Sequence, residues 1–119
     1  MLGGMIITTM RILGIDPGIG RVGWGIIDEA SGKVKSHAYD CFETAKELSL
    51  PERLVLIHNH ISLLIDTYLP QAVAIESLFF GTNTTTAFAV GQARGVVLLS
   101  AQQKNVFIAS YTPLQVKIA

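Results

Sequence analysis

The chain has 119 residues, of which half are hydrophobic, and its nine basic and nine acidic side chains give a formal net charge of zero. This length accommodates one domain with one hydrophobic core. No apolar run reaches the ~18 residues of a membrane-spanning helix, so we expect no membrane partner. The single Cys41 excludes an internal disulfide. It suits a reducing cytoplasm, and we interpret it as a packed strand residue.

The charges are unevenly distributed along the chain. All nine carboxylates lie at or before Glu76, whereas residues 77–119 contain only Arg94, Lys104 and Lys117. This mildly basic second half would tolerate a polyanion but does not require one.

The first half of the chain predicts three strands. Residues 1–9 are expected to be an irregular extension, and the domain is expected to cover 10–119. Met10–Asp16 reads as a buried strand that ends in the turn chemistry of Asp-Pro-Gly. Strands over 22–29 and 34–42 then complete an antiparallel meander. Strict alternation would divide the third strand into two faces, one with Val34, Ser36, Ala38, Asp40 and Phe42 and the other with Lys35, His37, Tyr39 and Cys41.

A helix is predicted after the meander. Ser49 and Glu52 have the spacing of a capping box, and Pro70 is expected to stop the helix. His58 and His60 are two residues apart and cannot share a helix face, so we do not expect them to bind a metal together. We interpret His37 as an exposed strand residue rather than a ligand.

Two predicted strands end on an acid. The short apolar strand over 71–76 ends at Glu76, as the first strand ends at Asp16. A helical crossover favours parallel pairing of these strands, whose axes would be about 4.8 Å apart. Two neighbouring carboxylates require a cation between them or a raised pKa. We therefore hypothesise a metal site at this edge, with an ordinary exposed strand end as the alternative.

The second half of the chain predicts a helix over 84–104 and a strand over 105–109. Ala87, Gly91 and Gly95 recur every four residues in this helix. Glycine costs roughly 1 kcal/mol of helix propensity relative to alanine, so this stripe indicates a close contact with the sheet or with another helix. Thr112 and Pro113 then begin a further helix.

Three motifs in order resemble the RuvC family of bacterial Holliday junction resolvases, within the ribonuclease H-like superfamily. They are Leu13-Gly-Ile-Asp-Pro-Gly18, Ala74-Ile-Glu-Ser-Leu-Phe79 and Gly91-Gln-Ala-Arg-Gly95. The resemblance runs from about Met10 to the last residue. It implies an α/β fold in which a mixed sheet, an antiparallel three-strand meander plus parallel strands, is flanked by helices.

The resemblance also implies a function in DNA recombination and repair. It implies a homodimeric endonuclease that makes paired symmetric nicks in four-way DNA junctions. The implied cofactor is Mg²⁺, for which Mn²⁺ substitutes, and the implied partners are the branch-migration proteins RuvA and RuvB.

Site residues follow from the same resemblance. It assigns Asp16 and Glu76 as catalytic metal ligands and Phe79 as the aromatic residue that stacks on a DNA base. Arg94 is a DNA-binding candidate that either pairs with a phosphate or is solvated.

The resemblance further assigns Ala87, Gly91 and Gly95 to the dimer interface. It places the remaining acidic ligands on a later helix, and no Asp or Glu follows Glu76. We therefore expect this domain to be incomplete at its C-terminus. We expect the 119-residue chain alone to bind magnesium weakly and to cleave junctions poorly.

Two other functions are compatible with parts of the sequence. The hairpin over 16–25 also looks like the first phosphate-binding turn of actin-like ATPases and sugar kinases, in which backbone N–H groups hold phosphates. Those proteins need a second lobe, for which this length leaves no room, and the acid at Glu76 followed by aromatic residues favours the nuclease. A catalytically inactive, dimerising DNA-binding module remains open.

Overall fold

The computed structural model describes residues 9–76 and 84–111, with the backbone alone at residues 76, 84–86, 110 and 111. Phe79 and the helix expected from Thr112 lie outside the described residues. Seven elements follow one another: β1 (Thr9–Asp16), β2 (Arg21–Ala30), β3 (Lys33–Glu43), α1 (Leu50–Tyr68), β4 (Ala72–Glu76), α2 (Thr84–Gln103) and β5 (Phe107–Tyr111).

The strands form one mixed sheet in the order β3-β2-β1-β4-β5. β1, β2 and β3 pair antiparallel, whereas β4 lies parallel to β1 and β5 parallel to β4. Parallel strands need a crossover connection, which α2 provides between β4 and β5. The predicted meander with added parallel strands is therefore confirmed.

Both helices pack against the same face of this sheet. That face and the helices share one core, in which Leu13 and Ile15 of β1 are buried together with Ile61 of α1 and Val97 of α2. The alternate strand positions form the opposite face, which we call the open face. On it Tyr39 is 80 % exposed and Phe107 is 70 % exposed. In the described part of the chain, the sheet thus has one covered and one open face.

The capping box of α1 is confirmed. The Ser49 hydroxyl accepts the Glu52 N–H at 3.3 Å, and the Glu52 carboxylate accepts the Ser49 N–H at 3.0 Å. These bonds hold the pKa of Glu52 below its ordinary value, because they favour the charged carboxylate. The helix ends where Leu69 adopts φ 52° and donates its N–H to the Ile65 carbonyl at 2.9 Å. Pro70 follows this cap and cannot extend the helix.

The predicted start of the last strand was wrong by two residues. Asn105 has φ 56°, and the Val106 N–H donates to the Ala101 carbonyl at 3.1 Å. Asparagine tolerates this left-handed conformation, so it terminates the preceding helix instead of beginning a strand. β5 consequently starts at Phe107.

The predicted faces of the third strand were also wrong, because β3 contains a β-bulge. Ile26 pairs with Ala38 but Ile27 pairs with Ser36, which leaves His37 as the extra residue. The side-chain alternation of β3 therefore reverses at His37, and Lys35 pairs with Asp28. His37 turns toward α1 and places its ring centroid 5.9 Å from that of Tyr68. Its side chain is still 47 % exposed, as expected.

A bidentate ion pair lies at the end of the sheet away from Asp16. Arg11 donates from Nε and Nη2 to the two carboxylate oxygens of Asp28, at 2.7 and 3.0 Å. Its Nη1 donates to the Tyr68 carbonyl at 3.0 Å, near the end of α1. This pair lowers the pKa of Asp28 and raises that of Arg11. It ties β1 and β2 to α1 at the end of the sheet opposite Asp16.

Candidate metal centre and nucleic-acid interface

The two candidate metal ligands end adjacent parallel strands. Ile15 of β1 pairs with Ile75 of β4, and the next residues along these strands are Asp16 and Glu76. Neighbouring strands in a sheet are about 4.8 Å apart, so the two backbones are close at this edge. Ile15 is buried on the helix side, and the alternation places Asp16 on the open face, where it is exposed.

The turn after Asp16 depends on glycine. A Cβ atom on Gly18 would meet the backbone carbonyl oxygen of Arg21 far inside van der Waals contact. Pro17 is buried beside it. Because the obstacle is backbone rather than a flexible side chain, any larger residue at position 18 would have to move the start of β2. Gly18 thus allows the backbone path from Asp16 to the start of β2 that the structure shows.

Two residues that the sequence did not suggest hold this turn in place. The Thr44 N–H donates to the Gly20 carbonyl at 3.0 Å, and the Thr44 hydroxyl donates to the Ile19 carbonyl at 2.5 Å. Arg53 of α1 in turn donates from Nε to the Thr44 hydroxyl at 2.7 Å. Thr44 is 6 % exposed, which is unusual for a polar side chain. No local pattern predicts this contact, because Thr44 lies far along the chain from the turn.

The chemistry of the site fits a hard divalent cation. Carboxylate oxygens are the ligands that Mg²⁺ prefers, and the ion usually keeps several waters. Within residues 9–76 and 84–111, no three His, Cys, Asp or Glu side chains come together as a metal site. Among the described side chains, Asp16 is the acid that ends β1 and is exposed on the open face.

The histidines of α1 lie elsewhere and face different neighbours. His58 Nδ1 lies 2.8 Å from the Ser100 hydroxyl of α2. The His60 ring lies against Phe42 of β3, with 3.9 Å between ring centroids. His60 Nε2 is buried and has no hydrogen-bond partner among the described residues. Burial lowers the pKa of His60 below its ordinary value, against a smaller opposing effect of Asp40.

The small-residue stripe of α2 points away from the sheet. A Cβ atom on Gly91 or Gly95 would meet nothing within 4 Å. α2 instead buries Ala93, Val97 and Ala101 in the core. The sequence left open whether this stripe contacts the sheet or another helix. Within the described residues, the structure excludes a contact with the sheet.

A surface depression accompanies the stripe. It measures about 390 Å³ and is lined by Ala87, Phe88, Gly91 and Gln92. Phe88 is 74 % exposed there. Arg94 lies on the same helix and is partly buried.

Whether a helix can cross a membrane depends on its length and composition. Of the two helices that the structure describes, neither combines the length and the apolar composition that a membrane span needs.

Comparison with known families gives a match over most of the chain. Residues 12–119 match the model of the family described as crossover junction endodeoxyribonuclease RuvC. A protein of that name from Roseiflexus sp. is 49 % identical over 112 residues, which cover 94 % of this chain and 67 % of the relative. Another from Brevibacillus brevis is 46 % identical over 110 residues, which cover 92 % and 66 %. The chain thus spans about two thirds of the length of these relatives.

Solved structures show the same fold. The Thermus thermophilus RuvC structure in complex with a Holliday junction substrate aligns with a TM-score of 0.83 at 33 % identity, covering 91 % of this chain and 68 % of that one. The yeast mitochondrial Holliday junction resolvase Ydc2 aligns with a TM-score of 0.68 at 20 % identity, covering 92 % and 53 %. At that identity the likeness concerns the fold alone. The ribonuclease H-like expectation is thereby confirmed, and the relatives support the nuclease over the ATP-binding alternative.

Proposed function

This chain belongs to the RuvC family of crossover junction endodeoxyribonucleases, and from that membership we propose that the whole protein resolves four-way DNA junctions. The proposed reaction is hydrolysis of a phosphodiester bond in each of two strands, in recombination and repair. The observation that carries the proposal is the register of β1 and β4. It ends both strands on an acid at one edge of the sheet.

We propose that Asp16 and Glu76 hold Mg²⁺, which Mn²⁺ can replace. A divalent metal held by these residues would supply activation of water and stabilisation of the leaving oxygen of a phosphodiester. Asp16 would be a rigid ligand, because β1 is hydrogen-bonded on both sides. Its exposure on the open face leaves room for a DNA phosphate.

DNA and a second copy of the chain complete the proposal. Phe79 would stack on a base beside the junction, a contact worth about 1–3 kcal/mol, and Arg94 would contact a phosphate. The stripe of Ala87, Gly91 and Gly95 would form a two-fold dimer contact, which is supported by its position on the solvent side of α2. A two-fold dimer presents two equivalent sites, as paired symmetric nicks require. We further propose action in the cytoplasm together with RuvA and RuvB.

The test compares DNA substrates for the whole protein in the presence of Mg²⁺. We expect paired nicks in a synthetic four-way junction and little cleavage of a linear duplex of the same sequence. Chelation of the metal should abolish cleavage while the junction stays bound. Equal cleavage of both substrates, or cleavage that survives chelation, would contradict the proposal.

A further inference from the structure

The open face beside Asp16 has a floor without side chains. Across β1, β2 and β3, the register aligns Asp16 with Gly23 and Cys41, and one step further along it aligns Gly14 with Gly25. A Cβ atom on Gly23 would lie 3.8 Å from the Asp16 Cβ, and one on Gly25 would lie 3.7 Å from the Tyr39 Cβ. The glycines thus leave a shallow strip between Asp16 and the edge strand, which we call the glycine track.

Arg21 stands at the mouth of this track. It is the first residue of β2, exposed, and two residues from Gly23, so it shares the face of Gly23 and Asp16. Because β2 runs antiparallel to β1, Arg21 lies at the same end of the sheet as Asp16. Its cross-strand neighbour is Glu43. Within the described residues its guanidinium nevertheless forms no salt bridge, and its positive charge is available to an anion.

Tyr39 forms the far wall of the track. It is opposite Gly25 on the edge strand β3 and is 80 % exposed. Together with Arg21, Asp40 and Cys41 it lines a depression of about 330 Å³. The Asp40 carboxylate accepts the Cys41 N–H at 2.7 Å, so part of its charge is engaged by the backbone. In the described sheet, the exposed ring of Tyr39 therefore lies on the same face as Arg21 and Asp16, whereas Asp40 is paired with Trp24 on the helix side.

We propose that the glycine track binds one DNA strand as it passes the acidic edge, with Arg21 on a phosphate and Tyr39 against a base or sugar. This inference rests on the proposed function and adds two strand-positioning residues to it. A nucleic acid strand is the occupant that these groups fit, because it combines regularly spaced anions with flat faces that stack on aromatic rings. The absence of side chains on the floor lets a backbone approach the sheet closely.

The experiment measures binding of a four-way junction by the whole protein in a chelator, as a function of salt concentration. Each phosphate contact contributes about 0.9 to the slope of log K against log salt. Arg21→Gln should therefore reduce the slope by about 0.9 and weaken binding by about three- to tenfold at low salt. Lys33→Gln is the matched control. It removes the same charge from an exposed residue at the opposite end of the β2–β3 hairpin, and it should leave the slope unchanged.

A second pair of variants tests the aromatic wall. Tyr39→Ser should weaken junction binding by about fivefold or more, since base stacking on an aromatic ring is lost. Val34→Ser is its control, because Val34 is a 69 % exposed residue of the same strand, far from Asp16. It should bind like the wild-type protein.

The outcomes separate this inference from the function on which it rests. One outcome refutes the glycine track and leaves the proposed function standing. In it, the wild-type protein prefers the junction, but Arg21→Gln has the same salt dependence of binding as Lys33→Gln. Tyr39→Ser then also binds the junction as tightly as Val34→Ser. If wild type shows no preference for a junction over a duplex, the proposed function fails and the inference fails with it.

Discussion

Ile15 of β1 and Ile75 of β4 are register partners in the parallel pair at the centre of the sheet. Both side chains are buried under the helices, at 1 % and 0 % exposure. Their burial fixes the phase of both strands, because a slip by one residue would turn every side chain to the other face. The backbones of the two residues that follow them, Asp16 and Glu76, are therefore held at one level of the sheet by the hydrophobic packing of these isoleucines.

The first prediction concerns these acids. Asp16→Asn and Glu76→Gln should each reduce junction cleavage by the whole protein on the order of a hundredfold or more, because an amide is a poor ligand for a hard cation. Junction binding should change little. Cleavage and binding are measured on the same labelled junction. Glu29→Gln, an exposed acid at the far end of β2, is the control and should cleave normally. Normal cleavage by either acid variant would remove that residue from the metal site.

The second prediction concerns the turn that follows Asp16. Gly18→Ala should destabilise the fold by about 1–3 kcal/mol, since the added Cβ collides with backbone of Arg21 that cannot move without distorting the hairpin. Urea unfolding measures the change. Gly14→Ala is the comparison, because its Cβ would come no closer than 3.9 Å to the Gly25 carbonyl oxygen. Equal stability of the two variants would show that the turn adapts.

The third prediction separates helix propensity from association. Gly91→Ala and Gly95→Ala should each stabilise α2 by up to about 1 kcal/mol, since their Cβ atoms meet nothing within 4 Å. If the stripe is a dimer contact, the same changes should weaken self-association by at least about tenfold. Sedimentation measures association, and thermal unfolding measures stability. Thr67→Ala, exposed on α1, improves propensity away from the stripe and should leave association unchanged. Unaltered association of both glycine variants would remove the stripe from the interface.

The fourth prediction concerns pH. Burial lowers the pKa of His60 in the folded state, so folding favours its neutral form. The stability that depends on this neutral form is complete above about pH 6.5, the ordinary value for histidine. It is lost as the pH falls through the lower pKa of the folded state, because the unfolded chain then binds the proton more readily.

His60→Phe is the variant that tests this titration. It keeps a ring against Phe42 and removes both the titration and the buried Nε2 that has no described partner. It should raise the free energy of unfolding by about 1 kcal/mol at pH 8 and by more at pH 5.5. Denaturant unfolding at the two pH values measures the difference. If the free energy of unfolding of His60→Phe depends on pH as that of the wild-type protein does, the titration belongs to another group.

Much of the fold could be predicted because its signals are local. The apolar run before Asp16, the capping box of Ser49 and Glu52 and the proline after Leu69 each act within a few residues, and the structure has each element there. The strand start at Asn105 was wrong because asparagine favours both a loop and a left-handed helix end. The sequence pattern of β3 was misleading because a bulge at His37 reverses which side chains face the helices. The bulge arises from the pairing of β3 with β2, which the sequence of β3 alone does not show.

The sequence by itself determined the order of the elements, the acids that end two of the strands and the motifs of the family. These depend on residue type and short spacing, which the chain carries without folding. Tertiary structure alone decided that α2 turns Gly91 and Gly95 to solvent and that Thr44 and Arg53 hold the Asp16 turn. It also decided that Arg21 and Tyr39 border a floor of glycines. Such relations join residues distant in sequence, and they exist only once the packed core has fixed the register of the sheet.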